Sequence, residues 1–304
     1  IDTVPLGQAP WRKDPFGGHR EGDRIYGRGA SDMKGGLAAM IVAAVRMAQF
    51  STGQSGVKLV FTAGEENGCQ GAEYLAGLDS VLGRAGALVV GEPTANYPVI
   101  GHKGAFWLEA VTTGVTAHGS MPDEGVNAIY KAARAIARLE AFDFQIDPHP
   151  VLGVPTFNVG TINGGININS VPDRTAFTLD LRLVPGQSIE QVHRQLQDLL
   201  GDEVDLKRLT AAPAIASDPQ NEWVQQVYTL MEAHLGERPV PRAVTYFTDA
   251  SALTAAFGGP PTVILGPGEP DMAHKTDEYC RLTRIETATQ VYEEIARRWC
   301  RIDS

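Results

Sequence analysis

The sequence predicts an α/β fold with a smaller α+β domain inserted into it. Apolar strand-like runs alternate with helical patterns at both ends of the chain, which is typical of α/β domains. Between them the order of elements changes to β-α-β-β-α-β, which is typical of a two-layer, ferredoxin-like domain. We therefore predict one α/β domain formed by 1–103 and 213–304, and an inserted domain over 104–212.

The elements of the α/β domain follow from their hydrophobic patterns, because short apolar runs predict buried parallel strands and longer periodic runs predict helices. In chain order we predict a helix over 32–50, strands at VKLVFTA (57–63) and GALVVGE (86–92), a helix over 221–235, a strand at PTVILG (261–266) and a closing helix around Val291, Ile295 and Trp299.

The inserted domain is predicted from alternation and helical periodicity in the same way. Its elements are strand 105–114, helix 126–142, strands 154–162 and 174–184, helix 188–201 and strand 203–210. In the third strand Phe177, Leu179 and Leu181 share one face, so Asp180 and Arg182 face the other way.

Composition excludes several classes of partner. The chain has 26 Lys and Arg against 36 Asp and Glu, a net charge of −10, which is the wrong sign for nucleic acid or an anionic membrane. Its longest apolar stretch, GGLAAMIVAAV, is shorter than the ~20 residues that span a bilayer. Three separated cysteines without a CxxC pair and an opening IDTVPLG unlike a signal peptide predict a cytoplasmic protein.

Candidate metal ligands follow strand-like or glycine-rich elements. They are Asp32 in GRGASDMKGG, Glu65 and Glu66 in AGEENG, Glu92 in VVGEPT and His274 in MAHKTDE. Carboxylates with an imidazole and no cysteine suit Zn²⁺, Co²⁺ or Mn²⁺ in a hydrolytic site. Each also has a structural explanation: a helix N-terminus for the doublet, an N-cap for Asp32, a turn before proline for Glu92 and a surface loop for His274.

Eight motifs together carry a family resemblance. They are IDTVP, GRGASDMKGG, AGEENG, GEPT, TAHGSMPDEGVNAI, GGININSVPD, DLRLVPGQ and AHKTDE. In this order they resemble the zinc-dependent deacylase and peptidase family of acetylornithine deacetylases, succinyl-diaminopimelate desuccinylases, aminoacylases and glutamate carboxypeptidases. The resemblance extends over nearly the whole chain and implies a two-metal hydrolase of linear amides.

The resemblance assigns roles to the metal candidates. It implies that Asp32 bridges two ions, that Glu66 and His274 complete one of them, and that Glu92 helps to hold the other. Glu65 would be the general base, taking a proton from the attacking water and passing it to the leaving amine. In the family's motif a further metal-binding histidine stands directly before the residue matching Ile1, and Asp2 would orient it. We therefore expect an N-terminally incomplete chain.

Four residues have implied roles around the substrate. His118 would stabilise the oxyanion from across a homodimer formed through the inserted domain, and Arg182 would bind the substrate carboxylate. Asn169 and Thr248 resemble substrate contacts. The alternatives are a capping or surface histidine for His118 and a salt bridge from Arg182 to Asp180 or Asp173.

The implied function is removal of an acyl group from an N-acyl amino acid. The stretch GEPTANYPVIGHKG resembles acetylornithine deacetylases more than desuccinylases, which favours an acetyl-type group. A dipeptidase or carboxypeptidase is the alternative within the class. A non-catalytic homologue that binds small molecules or dimerises is the alternative from another class.

Overall fold

The computed structural model describes residues 1–50, 55–78 and 81–302, and the chain divides into two compact units. Unit 1 contains Ile1–Gly101, Ala216–Val244 and Thr248–Ser304, and unit 2 contains His102–Ile215 and Thr245–Phe247. The architecture confirms the predicted fold class, an α/β domain with an inserted α+β domain.

The strands are β1 (His19–Glu21), β2 (Arg24–Tyr26), β3 (Leu88–Val90), β4 (Gly101–His102), β5 (Ala105–Thr113), β6 (Thr156–Gly164), β7 (Arg174–Arg182), β8 (Val204–Ala212), β9 (Ile215–Ala216), β10 (Thr262–Ile264) and β11 (Tyr279–Arg281). The helices are α1 (Gly35–Met47), α2 (Gln70–Ala76), α3 (Ala128–Leu139), α4 (Ile189–Leu200), α5 (Glu222–Leu235), α6 (Ala250–Ala256) and α7 (Leu282–Cys300).

Unit 2 is a four-stranded antiparallel sheet, in the order β6-β7-β5-β8, packed against two helices. Phe177 at the centre of β7 is opposite Ala110 of β5 and Ile162 of β6. Helices α3 and α4 bury one face each, at residues four apart such as Leu196 and Leu200. The alternation of β7 is confirmed, because Phe177 and its neighbours two residues away are buried.

Unit 1 is built from small sheets and longer helices. Its sheets are β1-β2-β11, antiparallel, and β3-β10, parallel. Helices α1, α5 and α7 pack with β10 in one core. A β-carbon added at Gly36 would lie 2.2 Å from the carbonyl oxygen of Gly91, so only glycine allows α1 to approach the end of β3 this closely. That approach fixes the backbone beside Glu92.

Two predicted elements of unit 1 are wrong in part. The predicted strand at 57–63 forms no ladder with any residue that the structure describes, and Val57 and Phe61 are 51% and 42% exposed. The segment lines a cavity of about 490 Å³ together with β3 and α1, so its apolar side chains lack the partner strand that β-structure requires. The helix predicted from residue 32 begins at Gly35, because Asp32 has extended backbone angles, φ −116° and ψ 94°.

Within the described ranges, no helix combines the length and the apolar character needed to cross a bilayer.

Candidate metal and catalytic site

Three predicted ligands converge in unit 1 from distant parts of the chain. His274 Nε2 lies 3.2 Å from Glu66 Oε2 and 3.4 Å from Asp32 Oδ2. One ligand atom from each of the three side chains lies within 4.8 Å of the other two. Asp32 precedes α1, Glu66 precedes α2 and His274 precedes β11, so all three are on loops next to regular elements.

Glu65 and Glu66 lie on a tightly turned loop that precedes α2. Gly64 and Cys69 both have left-handed backbone angles, with φ of 79° and 62°, which turns the chain into α2. The carboxylate of Asp2 accepts the backbone amides of Glu65 and Glu66, each at 3.2 Å. Burial opposes ionisation of Asp2, but these amide donors lower its pKa. Asp2 therefore fixes the backbone from which the two glutamate side chains diverge.

The two glutamates have different surroundings. Burial raises the pKa of Glu66, and Asp32 adds to the effect, while His274 opposes it. Burial raises the pKa of Glu65 to about 9, with the charges of Glu66 and Asp249 acting in the same direction. Glu66 is therefore placed to bind a cation, and Glu65 is a half-buried carboxyl group beside it with a strong affinity for a proton.

Glu92 and Asp249 enlarge the carboxylate cluster. Glu92 follows β3 and is 5% exposed, and burial, followed by the charges of Asp32 and Glu65, raises its pKa well above its usual range. Asp249 accepts a hydrogen bond from the Thr62 hydroxyl, and burial raises its pKa. These half-buried or buried carboxylates have only one imidazole among them. They repel one another unless protons or cations compensate their negative charge.

This donor set fits divalent cations. Oxygen and imidazole nitrogen ligands without a cysteine suit Zn²⁺, Co²⁺ or Mn²⁺. Positive charge placed at Asp32 would oppose the repulsions that raise the pKa of Glu65, Glu66 and Glu92. Conversely, the carboxylates raise the pKa of His274, first through its hydrogen bond with Asp32. Three of the four predicted ligands thus meet in one cluster, and the fourth, Glu92, is near enough to Asp32 for their charges to interact.

His118 lies in unit 2 on an exposed loop next to Asn169. The backbone amide of Ser120 donates to His118 Nδ1 at 3.2 Å, so in the neutral ring the proton is on Nε2. A β-carbon at Gly119 would lie 2.9 Å from the carbonyl oxygen of Asn169, which accepts the Gly119 amide at 2.8 Å. The glycine therefore allows the two loops to pair, and His118 presents Nε2–H as a donor.

Arg182 is paired within unit 2. Its Nε lies 2.8 Å from Asp180 Oδ1, and its Nη2 lies 3.1 Å from Asp180 Oδ2. The guanidinium carbon lies 5.7 Å from the Trp107 ring and 5.9 Å from the Phe247 ring. Contact with a substrate carboxylate stays a prediction. So does the contact predicted for Thr248, whose buried hydroxyl accepts the Ala250 amide at the start of α6.

Sequence reasoning missed three residues of this region. Asp249 stands beside Thr248 in FTDAS, and Glu278 ends the motif AHKTDE. Arg28 lies in GRGASD and forms a buried ion pair with Glu278 at 2.7 Å. Arg28 and Glu278 stand within motifs quoted above, and Asp249 is adjacent to Thr248, but the partners of all three are distant in sequence, so only the fold identifies their contacts.

Carboxylates and an imidazole that converge on loops of an α/β domain are a ligand set that metal-dependent hydrolases use. The family model for peptidase family M20/M25/M40 matches residues 1–298. The chain belongs to this family, and it is a hydrolytic enzyme acting on amides. Members of the family are metal-dependent, typically with two ions.

Individual relatives and structures agree with this assignment. The acetylornithine deacetylase of Proteus mirabilis is 30% identical over 98% of this chain and 78% of its own length, and that of Klebsiella pneumoniae has the same values. A tripeptidase structure from Staphylococcus aureus is 27% identical with a TM-score of 0.71, over 93% of this chain and 75% of that one. An M20 family metallo-carboxypeptidase from Sulfolobus solfataricus shares the fold, with a TM-score of 0.77 at 20% identity, covering 99% and 84%.

Proposed function

We propose that this chain removes an acetyl-type acyl group from an N-acyl amino acid, using two divalent ions. The observation that carries the proposal is the difference between the two adjacent glutamates: Glu66 lies beside Asp32 and His274, while Glu65 is a half-buried carboxyl group with a raised pKa. The acetylornithine deacetylases at 30% identity support the acyl amino acid as substrate.

In the proposed reaction, some residues of this chain would hold the ions and one would transfer the proton. Asp32, Glu66 and His274 would hold one ion, and Asp32 with Glu92 would contribute to the other. When bound, such ions polarise the scissile carbonyl and acidify the attacking water. The Glu65 carboxylate takes a proton from that water and passes it to the nitrogen of the leaving amine. Asp2 holds the Glu65 and Glu66 amides during this transfer. Zn²⁺ is the proposed native ion, with Co²⁺ and Mn²⁺ as alternatives.

A substrate panel tests this function. The chain would be assayed after addition of Zn²⁺, Co²⁺ or Mn²⁺ with N-acetylornithine, N-succinyl-diaminopimelate, a dipeptide and a tripeptide. We expect the highest kcat/KM for the N-acetyl amino acid. The tripeptidase at 27% identity supports peptides as the second candidate, and a higher kcat/KM for either peptide would establish that candidate and overturn the deacylase proposal.

Arg182 remains our candidate for the substrate carboxylate. Its guanidinium group is planar, and its ion pair with Asp180 is only half buried. The substrate carboxylate could therefore replace that of Asp180 as its partner without a large desolvation cost. An N-acyl amino acid should then be hydrolysed faster than its methyl ester, by a kcat/KM ratio on the order of 10-fold or more. Equal values for acid and ester would exclude this role for Arg182.

We also propose that the enzyme is a homodimer formed through unit 2. The edge strand β6 and the loop after it carry three exposed isoleucines, Ile162, Ile166 and Ile168, of which Ile168 is fully exposed. Exposed apolar side chains beside an open sheet edge favour association. In such a dimer His118 would stabilise the oxyanion in the partner subunit's site by donating a hydrogen bond from Nε2–H. The protein would act in the cytoplasm, a setting that its three free cysteines favour.

Mixed dimers test the role of His118. His118→Ala and Glu65→Ala are each expected to be inactive, and a mixed dimer would contain one site with both residues intact. Random exchange makes half of the dimers mixed, so activity should return to about a quarter of all sites. Verified exchange without recovered activity would show that His118 does not act in trans.

A further inference from the structure

The loops that carry Asp32 and His274 meet at one buried carboxylate, which belongs to Glu278. Its Oε1 accepts the backbone amides of Ser31 at 2.8 Å and Asp32 at 3.0 Å. Its Oε2 accepts the Gly29 amide at 2.9 Å and Arg28 Nη1 at 2.7 Å. The side chain is 1% exposed, and it accepts four hydrogen bonds, three of them from the loop that ends in Asp32.

Arg28 extends the same contacts to the second loop. Its Nη1 also donates to the carbonyl oxygen of Lys275, the residue after His274, at 3.2 Å. Its Nη2 donates to the carbonyl oxygen of Pro5 at 3.3 Å, and its guanidinium carbon lies 5.0 Å from the Trp11 ring. The Glu278 carbonyl accepts the Gly27 amide at 2.9 Å. One ion pair therefore joins the backbone of Asp32 to the backbone next to His274.

We infer that Glu278 and Arg28 are positioning residues that set the geometry of the metal ligands before any ion binds. Asp32 has extended backbone angles just before a helix, and His274 has a left-handed φ of 64°. The left-handed conformation of His274 needs outside support, and the backbone amide of Asp32 needs an acceptor from outside its own segment. The carboxylate supplies it for Asp32 and the guanidinium supplies it for His274. The metal part of this inference rests on the proposed function, whereas the ordering of the two loops does not.

Glu278→Gln is the decisive variant because it keeps the size of the side chain. The glutamine side chain has one oxygen and one NH₂ group. Its NH₂ group would have to face either the amides of Ser31 and Asp32 or the donors of Gly29 and Arg28, and those hydrogen bonds would be lost. Glu269→Gln is the matched control. Glu269 is also buried, at 6% exposure, but its carboxylate pairs with the side chains of Arg281 and Arg284. Both variants remove one buried glutamate charge opposite arginine.

The first measurement is amide hydrogen exchange of the metal-free protein, followed by peptide mass. Glu278→Gln should accelerate exchange at 29–32 and at 272–276, and Glu269→Gln should leave 29–32 unchanged. Arg28→Lys keeps a positive charge for Glu278 but lacks the fork that reaches Lys275, so it should accelerate 272–276 alone. Unchanged exchange at 29–32 in Glu278→Gln would overturn the inference.

The second measurement is Co²⁺ binding by competition with a chelator. Loss of an outer partner of a metal ligand weakens binding by about 10–100-fold, and we expect this for Glu278→Gln with no change for Glu269→Gln. Equal Co²⁺ affinity in the two variants would reduce Glu278 to an ordinary buried ion pair and overturn the metal part of the inference. If the unaltered chain bound no Co²⁺, the proposed function would be wrong. The positioning role of Glu278 and Arg28 would then be decided by hydrogen exchange alone. Arg28→Lys provides that test even if Glu278→Gln does not fold.

Discussion

In unit 2 the sheet consists of nine-residue strands, of which β5 and β7 bury alternate side chains against two helices. Among the residues that the structure describes, the strands of unit 1 have three residues at most, and the candidate ligands lie on loops next to them. Apolar burial determines the shape of unit 2. In unit 1 the buried carboxylate of Glu278 and the half-buried carboxylate of Asp2 hold the loops by accepting hydrogen bonds from backbone amides. Substitutions should therefore affect mainly stability in unit 2 and mainly chemistry in the loops of unit 1.

The largest effect that follows is on catalysis by Glu65. Glu65→Gln removes the proton acceptor while keeping the side chain's size, so kcat should fall by about 10²–10⁴ with metal content unchanged. Glu66→Gln removes a ligand on the same loop and should lower metal content instead. Elemental analysis after dialysis, combined with initial rates, distinguishes the two. Equal metal loss in both variants would show that the roles within the doublet are wrongly assigned.

The next effect is on the core of unit 2. Phe177 is fully buried in β7, and Phe177→Ala should lower the free energy of unfolding by about 3–5 kcal/mol through lost burial and a cavity. Urea unfolding measures this change, and Co²⁺ titration of the folded variant should give the parental affinity. A loss below about 1 kcal/mol would contradict the idea that apolar burial determines this unit.

The same contrast explains what the sequence could predict. The two central strands of unit 2, β5 and β7, were predictable because each has its own alternation and pairs within the same unit, as Phe177 and Leu179 show. The candidate ligands of unit 1 were predicted from the motifs around Asp32 and His274, and the structure brings Asp32, Glu66 and His274 together. The Glu278 hydrogen bonds were not found, because they join residues about 250 positions apart and carboxylates show no periodicity. The prediction of a strand at 57–63 was wrong because an apolar run forms a strand only where a partner strand is available.

An intermediate effect concerns acid stability of unit 2. Burial lowers the pKa of His102 to about 4, while its Nδ1 donates to the Lys103 carbonyl oxygen at 2.8 Å. Below about pH 6.5 His102 binds a proton in the unfolded chain but stays neutral in the folded one. The free energy of unfolding is therefore highest above pH 6.5 and falls as the pH drops towards 4. The loss should reach about 3 kcal/mol. Urea unfolding between pH 4 and 7 measures it, and His102→Leu should have a flatter profile. An equal slope in both proteins would assign the acid sensitivity to other groups.

The smallest effect should occur at Phe61, where an aromatic side chain in an apolar run would ordinarily be assigned to a core. It is 42% exposed, and segment 57–62 has no backbone ladder with any part of the chain that the structure describes. Phe61→Ser should therefore change the free energy of unfolding by no more than about 0.5 kcal/mol. Leu108→Ser is the control, because Leu108 is fully buried in β5.

Hydrogen exchange examines the backbone of the same two regions. Amides of 57–62 should exchange rapidly, since they lack hydrogen-bond partners among the described residues, and those of β5 should be protected by ladders to β7 and β8 on both sides. A large loss of stability in Phe61→Ser, or protection of 57–62 equal to that of β5, would show that this segment is a paired, buried strand in solution. The sequence-based prediction would then be right, and the contrast between the two units would be confined to the loops that carry the metal ligands.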